Sequence, residues 1–247
     1  MQRGHAPSLE RARALVMAGL VRVSDERASS SAQLINAQAG VSVVASERFV
    51  SRGAWKLEGA LNHFAIDVRG LVCADVGAAT GGFSDVLLQR DAERVYAVDV
   101  GYGDLDWKVR SNPRLIPIER TNARHLESLP ERVTLVVIDA SFISLTMLVP
   151  SVVRWLTQDG MIVALVKPQF EVDRAQVPEG GVVEDRALHR IVIERVAQCA
   201  LEHGLSSQGI TPSALKGSRG NQEYLLWLKL GGKGDITQQL SEIFEDR

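Results

Sequence analysis

The feature that most constrains the fold of this chain is an apolar run that ends in a cluster of glycines. Residues 71–84 read LVCADVGAATGGFS, and the first half of this run is typical of a buried parallel strand. Gly77, Gly81 and Gly82 follow it and let backbone N–H groups come close to a ligand before a helix begins. A second apolar strand, 94–100, carries Asp99 near its end. This order of elements predicts a nucleoside-binding α/β crevice, with the acid placed for ribose hydroxyls.

The spacing of these glycines distinguishes between nucleoside ligands. Dinucleotide-binding folds use G-x-G-x-x-G, which brings a pyrophosphate to the start of a helix. Here Gly77, Gly81 and Gly82 form G-x-x-x-G-G, and Asp75 precedes them. An anion would be poorly placed beside Asp75, whereas S-adenosylmethionine carries a sulfonium and an ammonium group. We therefore expect S-adenosylmethionine as the cofactor. The alternative is an ordinary tight turn with no ligand, and the position of Asp99 argues against it.

Composition sets broad limits on the function. A chain of 247 residues holds one large domain, or one domain and a small module. The net charge of −2 gives no general attraction to nucleic acid, so any RNA-binding surface has to be a local patch. Cys73 and Cys199 are far apart in apolar settings and have no metal-ligand spacing, so we expect buried thiols and no metal. The sequence shows no signal peptide and no long apolar span, which predicts a cytosolic protein.

Charged residues end two further predicted strands. Asp139 follows strand 133–138, and Lys167 follows strand 161–166. Buried strand ends rarely carry charge without a partner or a purpose, although an ion pair that closes the sheet edge would be enough to explain both. Lys56, on a helix predicted over 51–64, and Glu223, near the start of strand 222–230, are expected on the same face. A neighbouring ammonium and partial burial lower the pKa of a lysine, so a cluster of this kind can supply a neutral amine as a base.

Such a base would suit methyl transfer to a hydroxyl group. A hydroxyl that loses its proton beside a methylsulfonium can attack the methyl carbon in line. Asn122 lies in the motif ERTNAR (119–124), after a third short strand, and could contact an adenine edge there. An Asx turn is an equally good explanation of Asn122.

The remaining segments lie outside this α/β pattern. Residues 8–19 predict a short amphipathic helix, and 20–23 and 40–44 predict two short strands, which together make too small a core to be stable alone. Arginines give this piece a basic bias, for which a solvated helix face is the simpler explanation. Residues 47–50 form a connector, and the chain ends in a polar amphipathic tail.

Eight motifs, in order, resemble those of the TlyA (hemolysin A) family of FtsJ-like ribosomal RNA 2′-O-methyltransferases: SRGAWKL (51–57), DVGAATGGF (75–83), YAVDVGYG (96–103), ERTNAR (119–124), IDASFISL (138–145), LVKPQFE (165–171), GGVV (180–183) and GNQEY (220–224). The resemblance implies a Rossmann-like seven-stranded sheet with helices on both faces. It also implies S-adenosylmethionine as cofactor and cytidine riboses of small- and large-subunit rRNA as methyl acceptors. The implied catalytic tetrad is Lys56, Asp139, Lys167 and Glu223. The cofactor residues expected from the motifs are Asp75, Gly77, Ala78, Thr80, Gly81, Gly82, Phe83, Asp99, Val100, Asn122, Ala123 and Asp139.

The N-terminal segment resembles the S4 RNA-binding module of the same family, through residues 8–23. We expect a shortened module, because only seven residues precede Ser8, where the family has its first helix. The expected domains are an S4-like module (1–46), a linker (47–50), a methyltransferase domain (51–233) and a tail (234–247). Phosphate contacts would fall to basic residues of both parts: Arg3, Arg11, Arg13, Arg52 and Arg69.

Two other functions are compatible with the same family. One is an RNA-binding factor in ribosome assembly that kept the fold without catalysis, although the presence of all four tetrad residues disfavours it. The other is a membrane-active protein, which the name hemolysin suggests. The sequence has no apolar span and no strongly amphipathic basic helix to support it. Ribosomal subunits rather than a membrane are therefore the expected partners.

Overall fold

The chain divides into two units, residues 1–48 and 49–247. The computed structural model describes residues 5–6, 9–17, 21–24, 26–36, 38–43, 48–217 and 219–245. Unit one contains α1 (Leu9–Met17) and the strands β1 (Val21–Val23), β2 (Glu26–Arg27) and β3 (Val41–Val43). The strands form an antiparallel sheet in the order β2-β1-β3. The sequence predicts β1 and β3 but not β2.

Unit one has a core of its own. Among its described residues, the buried apolar side chains of this core are Ala6, Leu15, Val21 and Ala28. Ser8 and Gly19, the predicted ends of the first helix, lie outside the described residues.

Unit two is built on a mixed sheet of seven strands in the order β6-β5-β4-β7-β8-β10-β9. The strands are β4 (Val72–Val76), β5 (Arg94–Val98), β6 (Leu115–Ile118), β7 (Val133–Ile138), β8 (Leu156–Val166), β9 (Leu205–Pro212) and β10 (Tyr224–Leu230). Neighbours from β6 to β8 are parallel, and β10 runs antiparallel to both β8 and β9. The predicted seven-stranded α/β sheet is therefore confirmed.

Helices cover both faces of this sheet. They are α2 (Ala54–His63), α3 (Gly82–Gln89), α4 (Trp107–Arg110), α5 (Leu145–Val152), α6 (Pro168–Glu171), α7 (Arg186–Glu202) and α8 (Ile236–Phe244). Side chains alternate between two cores along each strand. Leu135 and Val137 of β7 join the core that contains residues of α2 and α3, whereas Val136 and Ile138 join the core that contains residues of α5, α7 and α8.

Several predicted boundaries differ from the structure. Strand β5 ends at Val98 rather than residue 100, and β8 begins at Leu156 rather than Met161. The polar residues 157–160 of β8 lie where its register with β7 shifts, so they do not show the apolar pattern of a buried strand. Helix α5 ends at Val152, two residues after Pro150, and a 3-10 turn follows it. The segment after β8 is partly helical, because it contains α6 and a further 3-10 turn at Arg174–Gln176.

The C-terminal segment is more than a polar tail. Residues 236–244 form α8, which Asp235 caps by accepting a hydrogen bond from the backbone N–H of Thr237 at 2.8 Å. Leu240 of this helix is fully buried in the core beside β9. Helix α8 therefore extends unit two beyond its last strand.

The strand order places a crevice beside β4. The chain moves outward from β4 to β5 and β6, and then crosses back to β7 on the other side of β4. In open parallel sheets, ligands bind at such a switch point, outside the carboxyl ends of the strands. The carboxyl ends of β4, β5 and β7 carry the glycine turn, Asp99 and Asp139, respectively.

Candidate active site

A pocket of about 520 Å³ opens at this crevice, a size typical of small-molecule sites. It takes residues from α2, from the turn after β4, from the segments after β7 and β8, and from the segment before β10. All four residues of the implied tetrad line it, together with five of the expected cofactor residues: Gly77, Ala78, Thr80, Gly82 and Phe83. Residues far apart in the sequence therefore meet around one cavity.

The glycine turn lies against the segment that carries Asp139. Gly77 has a φ of +83°, a left-handed conformation that glycine adopts without strain. A Cβ atom at Gly77 would lie 2.6 Å from the backbone oxygen of Asp139. The turn and the Asp139 segment can approach this closely only because residue 77 has no side chain.

Asp99 holds the same turn from the other side. Its Oδ2 accepts a hydrogen bond from the backbone N–H of Ala79 at 2.8 Å, and its Oδ1 accepts one from Gly101 at 2.7 Å. Ala79 has a φ of +45°, which is uncommon for a residue other than glycine. The predicted acid after the second strand thus fixes the backbone of the glycine turn, and it keeps lone pairs for a ligand.

Asp75 lies fully buried beneath the turn. Its Oδ2 accepts hydrogen bonds from the backbone N–H and the hydroxyl of Ser84, at 2.8 and 2.7 Å. Its Oδ1 has no hydrogen-bond partner among the described residues. Burial is the main cause that raises the pKa of Asp75 to about 7; the negative charges of Asp139 and Asp99 contribute to the rise, and the Ser84 bonds oppose it.

The raised pKa of Asp75 predicts a pH-dependent stability. Between about pH 4 and pH 7 the folded protein retains a proton that the unfolded chain has released, so the stability due to this proton is lost as the pH rises through 7. We therefore expect the free energy of unfolding of wild type, measured without cofactor, to fall between pH 5 and pH 8 relative to that of Asp75→Asn. The exposed Asp67, changed to Asn, controls for the loss of one charge. Parallel pH profiles of Asp75→Asn and wild type would contradict the prediction.

The tetrad residues form two lysine–carboxylate pairs. Lys56 Nζ lies 2.5 Å from Glu223 Oε2, and Lys167 Nζ lies 2.6 Å from Asp139 Oδ1. Lys167 also donates a hydrogen bond to Ser141 Oγ at 2.9 Å. The side chain of Glu223 is only 3% exposed and that of Lys167 only 9%. Charges this far from solvent need partners, and both lysines have one.

Other predicted residues lie away from the pocket wall. Asn122 Oδ1 accepts a hydrogen bond from the backbone N–H of Arg124 at 3.0 Å, so Asn122 forms the Asx turn that was the alternative explanation. Ala123 belongs to the core, and Val100 is 70% exposed just beyond β5. Of the expected RNA-binding residues, Arg13 is exposed in unit one, and Arg52 and Arg69 are exposed in unit two. Arg3 lies outside the described residues, as does the side chain of Arg11.

One prediction about the start of α2 is wrong. The sequence predicts a helix from residue 51, but α2 begins at Ala54, and the residue at its N-cap, Gly53, makes no side-chain capping bond. Ser51 instead lines the pocket, and its hydroxyl occupies the space into which a side chain at Gly82 would project. A serine shortly before an apolar helix is ambiguous in sequence, because the same residue type caps helices and lines binding sites.

The sequence also did not single out several other residues of the pocket. They are Gly53, Ala79, Ser141, Phe142, Gln169, Phe170, Val177, Gly181, Arg219 and Asn221. Most of them lie inside the eight motifs, so adjacency to Lys56, Asp139, Lys167 or Glu223 was the available signal. The motifs alone could not indicate which neighbours face the cavity.

The chemistry of the pocket suits S-adenosylmethionine. The carboxylate of Asp139 lines the pocket, those of Asp75 and Asp99 lie outside its lining at the ends of the neighbouring strands β4 and β5, and Oδ1 of Asp75 has no partner among the described residues. This arrangement favours a ligand with positive charge and disfavours a pyrophosphate. The part of the chain that the structure describes contains no group of three or more His, Cys, Asp or Glu side chains arranged to hold a metal. No helix within the described ranges has the length and apolar character needed to cross a bilayer.

Comparisons with known proteins agree with this site. The model of the FtsJ-like methyltransferase family matches residues 49–230. The chain is 49% identical to the 16S/23S rRNA (cytidine-2′-O)-methyltransferase TlyA of Mycobacterium tuberculosis, over 93% of this chain and 87% of that one. It is 36% identical to Hemolysin A of Brachyspira hyodysenteriae, over 90% of this chain and 94% of that one. The solved structure of a presumed hemolysin from Streptococcus thermophilus has a sequence 37% identical to this chain and a TM-score of 0.77. The match covers 98% of this chain and 90% of that one.

The family model covers well over half of the chain, and both named relatives exceed 30% identity over most of its length. The resemblance noted in the motifs is therefore confirmed. The chain belongs to the FtsJ-like methyltransferase family, within its TlyA/hemolysin A group, and is an S-adenosylmethionine-dependent methyltransferase.

Proposed function

We propose that this protein transfers a methyl group to the 2′-hydroxyl of cytidine in ribosomal RNA. The observation that supports this most directly is the pair of lysine–carboxylate contacts in the same pocket as the glycine turn. The relative from M. tuberculosis carries the matching activity in its name. A ribosomal substrate would put the reaction in the cytoplasm.

Lys167 is the proposed general base. As a base it acts in its neutral form, whose two N–H bonds can be donated to Asp139 Oδ1 and Ser141 Oγ, the two atoms that Nζ contacts. The lone pair of Nζ is then left to accept the proton of the ribose hydroxyl, which converts the amine to an ammonium group. A base held at one atom in this way raises the rate both by proton transfer and by its fixed orientation.

The Lys56–Glu223 pair is proposed to position the substrate. Glu223 is almost fully buried, and Lys56 retains slightly more exposure, at 12% of its side chain. Fixed by the carboxylate, the ammonium of Lys56 can donate a hydrogen bond to the 2′-oxygen and stabilise the negative charge that develops there. The two lysines then have different roles, because one accepts the proton and the other stabilises the oxygen.

S-adenosylmethionine, when bound, supplies an electrophilic methyl group on a sulfonium. The residues proposed to hold it are the turn 77–83 and the acids Asp75, Asp99 and Asp139. Gly77 and Gly82 let the backbone and Ser51 pack closely around the site, while Asp99 keeps the turn in place. The arginines expected to contact phosphates, Arg3, Arg11, Arg13, Arg52 and Arg69, remain candidates for RNA binding.

A transfer assay with product analysis tests the proposal. The purified protein is incubated with methyl-labelled S-adenosylmethionine and purified small or large ribosomal subunits, and the rRNA is then digested to nucleosides. We expect label in 2′-O-methylcytidine from at least one subunit. The matched control uses subunits that the protein has already methylated to completion with unlabelled cofactor, which should take up no label. Label on a base, or association with subunits without any transfer, would reject the proposal; the second result would favour a silent assembly factor.

A further inference from the structure

Glu171 is a buried carboxylate that the proposed tetrad does not use. It ends α6, four positions after Lys167, and its exposed fraction is 6%. Its Oε2 accepts a hydrogen bond from Ser144 Oγ at 2.6 Å, and its Oε1 accepts one from the backbone N–H of Leu145 at 2.8 Å. Both oxygens of this carboxylate are therefore bonded to the first residues of α5.

These two bonds join the segments that leave β7 and β8. Asp139 follows β7, and the chain runs through Ser141 to Ser144 before α5 begins. Lys167 follows β8, and α6 leads directly from it to Glu171. The two segments are thus connected twice, by the Asp139–Lys167 pair at their starts and by Glu171 further along. Glu171 fixes the Ser144 end of segment 139–144 relative to α6.

Segment 139–144 adopts a conformation that needs such support. Phe142 has a φ of +62°, which is rare for a bulky residue and persists only where the surroundings impose it. Its ring contacts that of Phe170 on α6, with centroids 4.9 Å apart. At the other end, the backbone of Asp139 is pressed against Gly77. The segment is therefore held at Asp139 by the glycine turn and at Ser144 by Glu171.

We propose that Glu171 is a positioning residue for methyl transfer, which holds segment 139–144 so that Asp139 and Ser141 both meet Lys167 Nζ. This inference rests on the proposed function. A helix cap with no role in transfer would make the same two hydrogen bonds, so the test has to separate the rate of transfer from the stability of the fold.

The variant Glu171→Gln keeps the size of the side chain but has one acceptor oxygen for two donors. We expect kcat for rRNA methylation to fall about 10- to 100-fold, because small misplacements of catalytic groups carry losses of this order. KM for ribosomal subunits and Kd for the cofactor, measured by calorimetry, should stay within about twofold, because Asp99 holds the glycine turn and the backbone of Asp139 stays packed against Gly77. Asp235→Ala, which removes a carboxylate cap from α8, is the matched control for loss of a cap and should keep the wild-type kcat.

Two further measurements make the outcome decisive. In a Ser141→Ala background, Glu171→Gln should add little to the loss of kcat, because both act through Lys167. Hydrogen exchange at the backbone of residues 140–144 should be faster in Glu171→Gln than in wild type and unchanged in Asp235→Ala. An unchanged kcat, multiplied losses in the double variant or unchanged exchange would each overturn the proposal. If wild type itself transfers no methyl group, the proposed function fails, and the exchange measurement still decides whether Glu171 holds the segment.

Discussion

Replacing Lys167 with methionine is expected to reduce methyl transfer by about 10²- to 10⁴-fold, the usual contribution of a general base. Methionine keeps an unbranched side chain, one atom shorter than that of lysine, but can neither accept a proton nor pair with Asp139. The lysine side chain is 9% exposed and Nζ lies 2.6 Å from Asp139, so solvent cannot readily take its place. The loss should appear in single-turnover rates with purified ribosomal subunits at saturating cofactor.

The control for this variant is Lys233→Met, which makes the same change at an exposed position beyond the last strand. We expect it to transfer methyl groups at the wild-type rate. Cofactor affinity, measured by calorimetry, should stay within about threefold in Lys167→Met, because Gly77, Ala79 and Asp99 form the turn without contacting Lys167. Equal single-turnover rates for Lys167→Met and wild type would exclude Lys167 as the base.

The fold was largely predictable because its elements depend on local patterns. Apolar runs bounded by glycine and acid identify β4, β5 and β7, and the parallel order follows once helices alternate with them. The predicted ends of helices and strands that were wrong are those that depend on tertiary structure. The register shift in β8 separates Leu156 from Met161, and Ser51, which packs against Gly82, lies before the start of α2 at Ala54. Neither effect leaves a periodic signal in the sequence.

The candidate site was predictable to a different degree. Strand ends indicated Asp99, Asp139 and Lys167, because the carboxyl ends of parallel strands share one edge of the sheet. Pairing was not predictable, since nothing in the sequence says that Lys56 meets Glu223 rather than Asp139. For Asn122 the residue type alone could not decide between a contact to the ligand and an Asx turn, and its Oδ1 makes the turn. Ser141 gave no signal beyond its place two residues after Asp139.

The Gly77→Ala variant is expected to lose both stability and cofactor affinity. An alanine there would keep a φ of +83° at a cost of about 1–2 kcal/mol, and its Cβ would lie 2.6 Å from the backbone oxygen of Asp139. Because that neighbour is backbone rather than a flexible side chain, the turn or segment 139–144 has to move, at a further cost of about 1–3 kcal/mol. Either movement separates the glycine turn from Asp139, so cofactor affinity should fall by at least about tenfold, or about 1.4 kcal/mol.

Gly70→Ala separates the two causes. Gly70 has a similar φ of +72°, but a Cβ atom at this position would meet no atom within 4 Å. The backbone conformation alone should therefore cost Gly70→Ala about 1–2 kcal/mol and leave cofactor affinity unchanged. Denaturant unfolding without cofactor and calorimetric titration with S-adenosylmethionine measure both quantities on both variants. Equal losses of stability and unchanged affinity in the two variants would show that the contact between Gly77 and Asp139 does not shape the cofactor site.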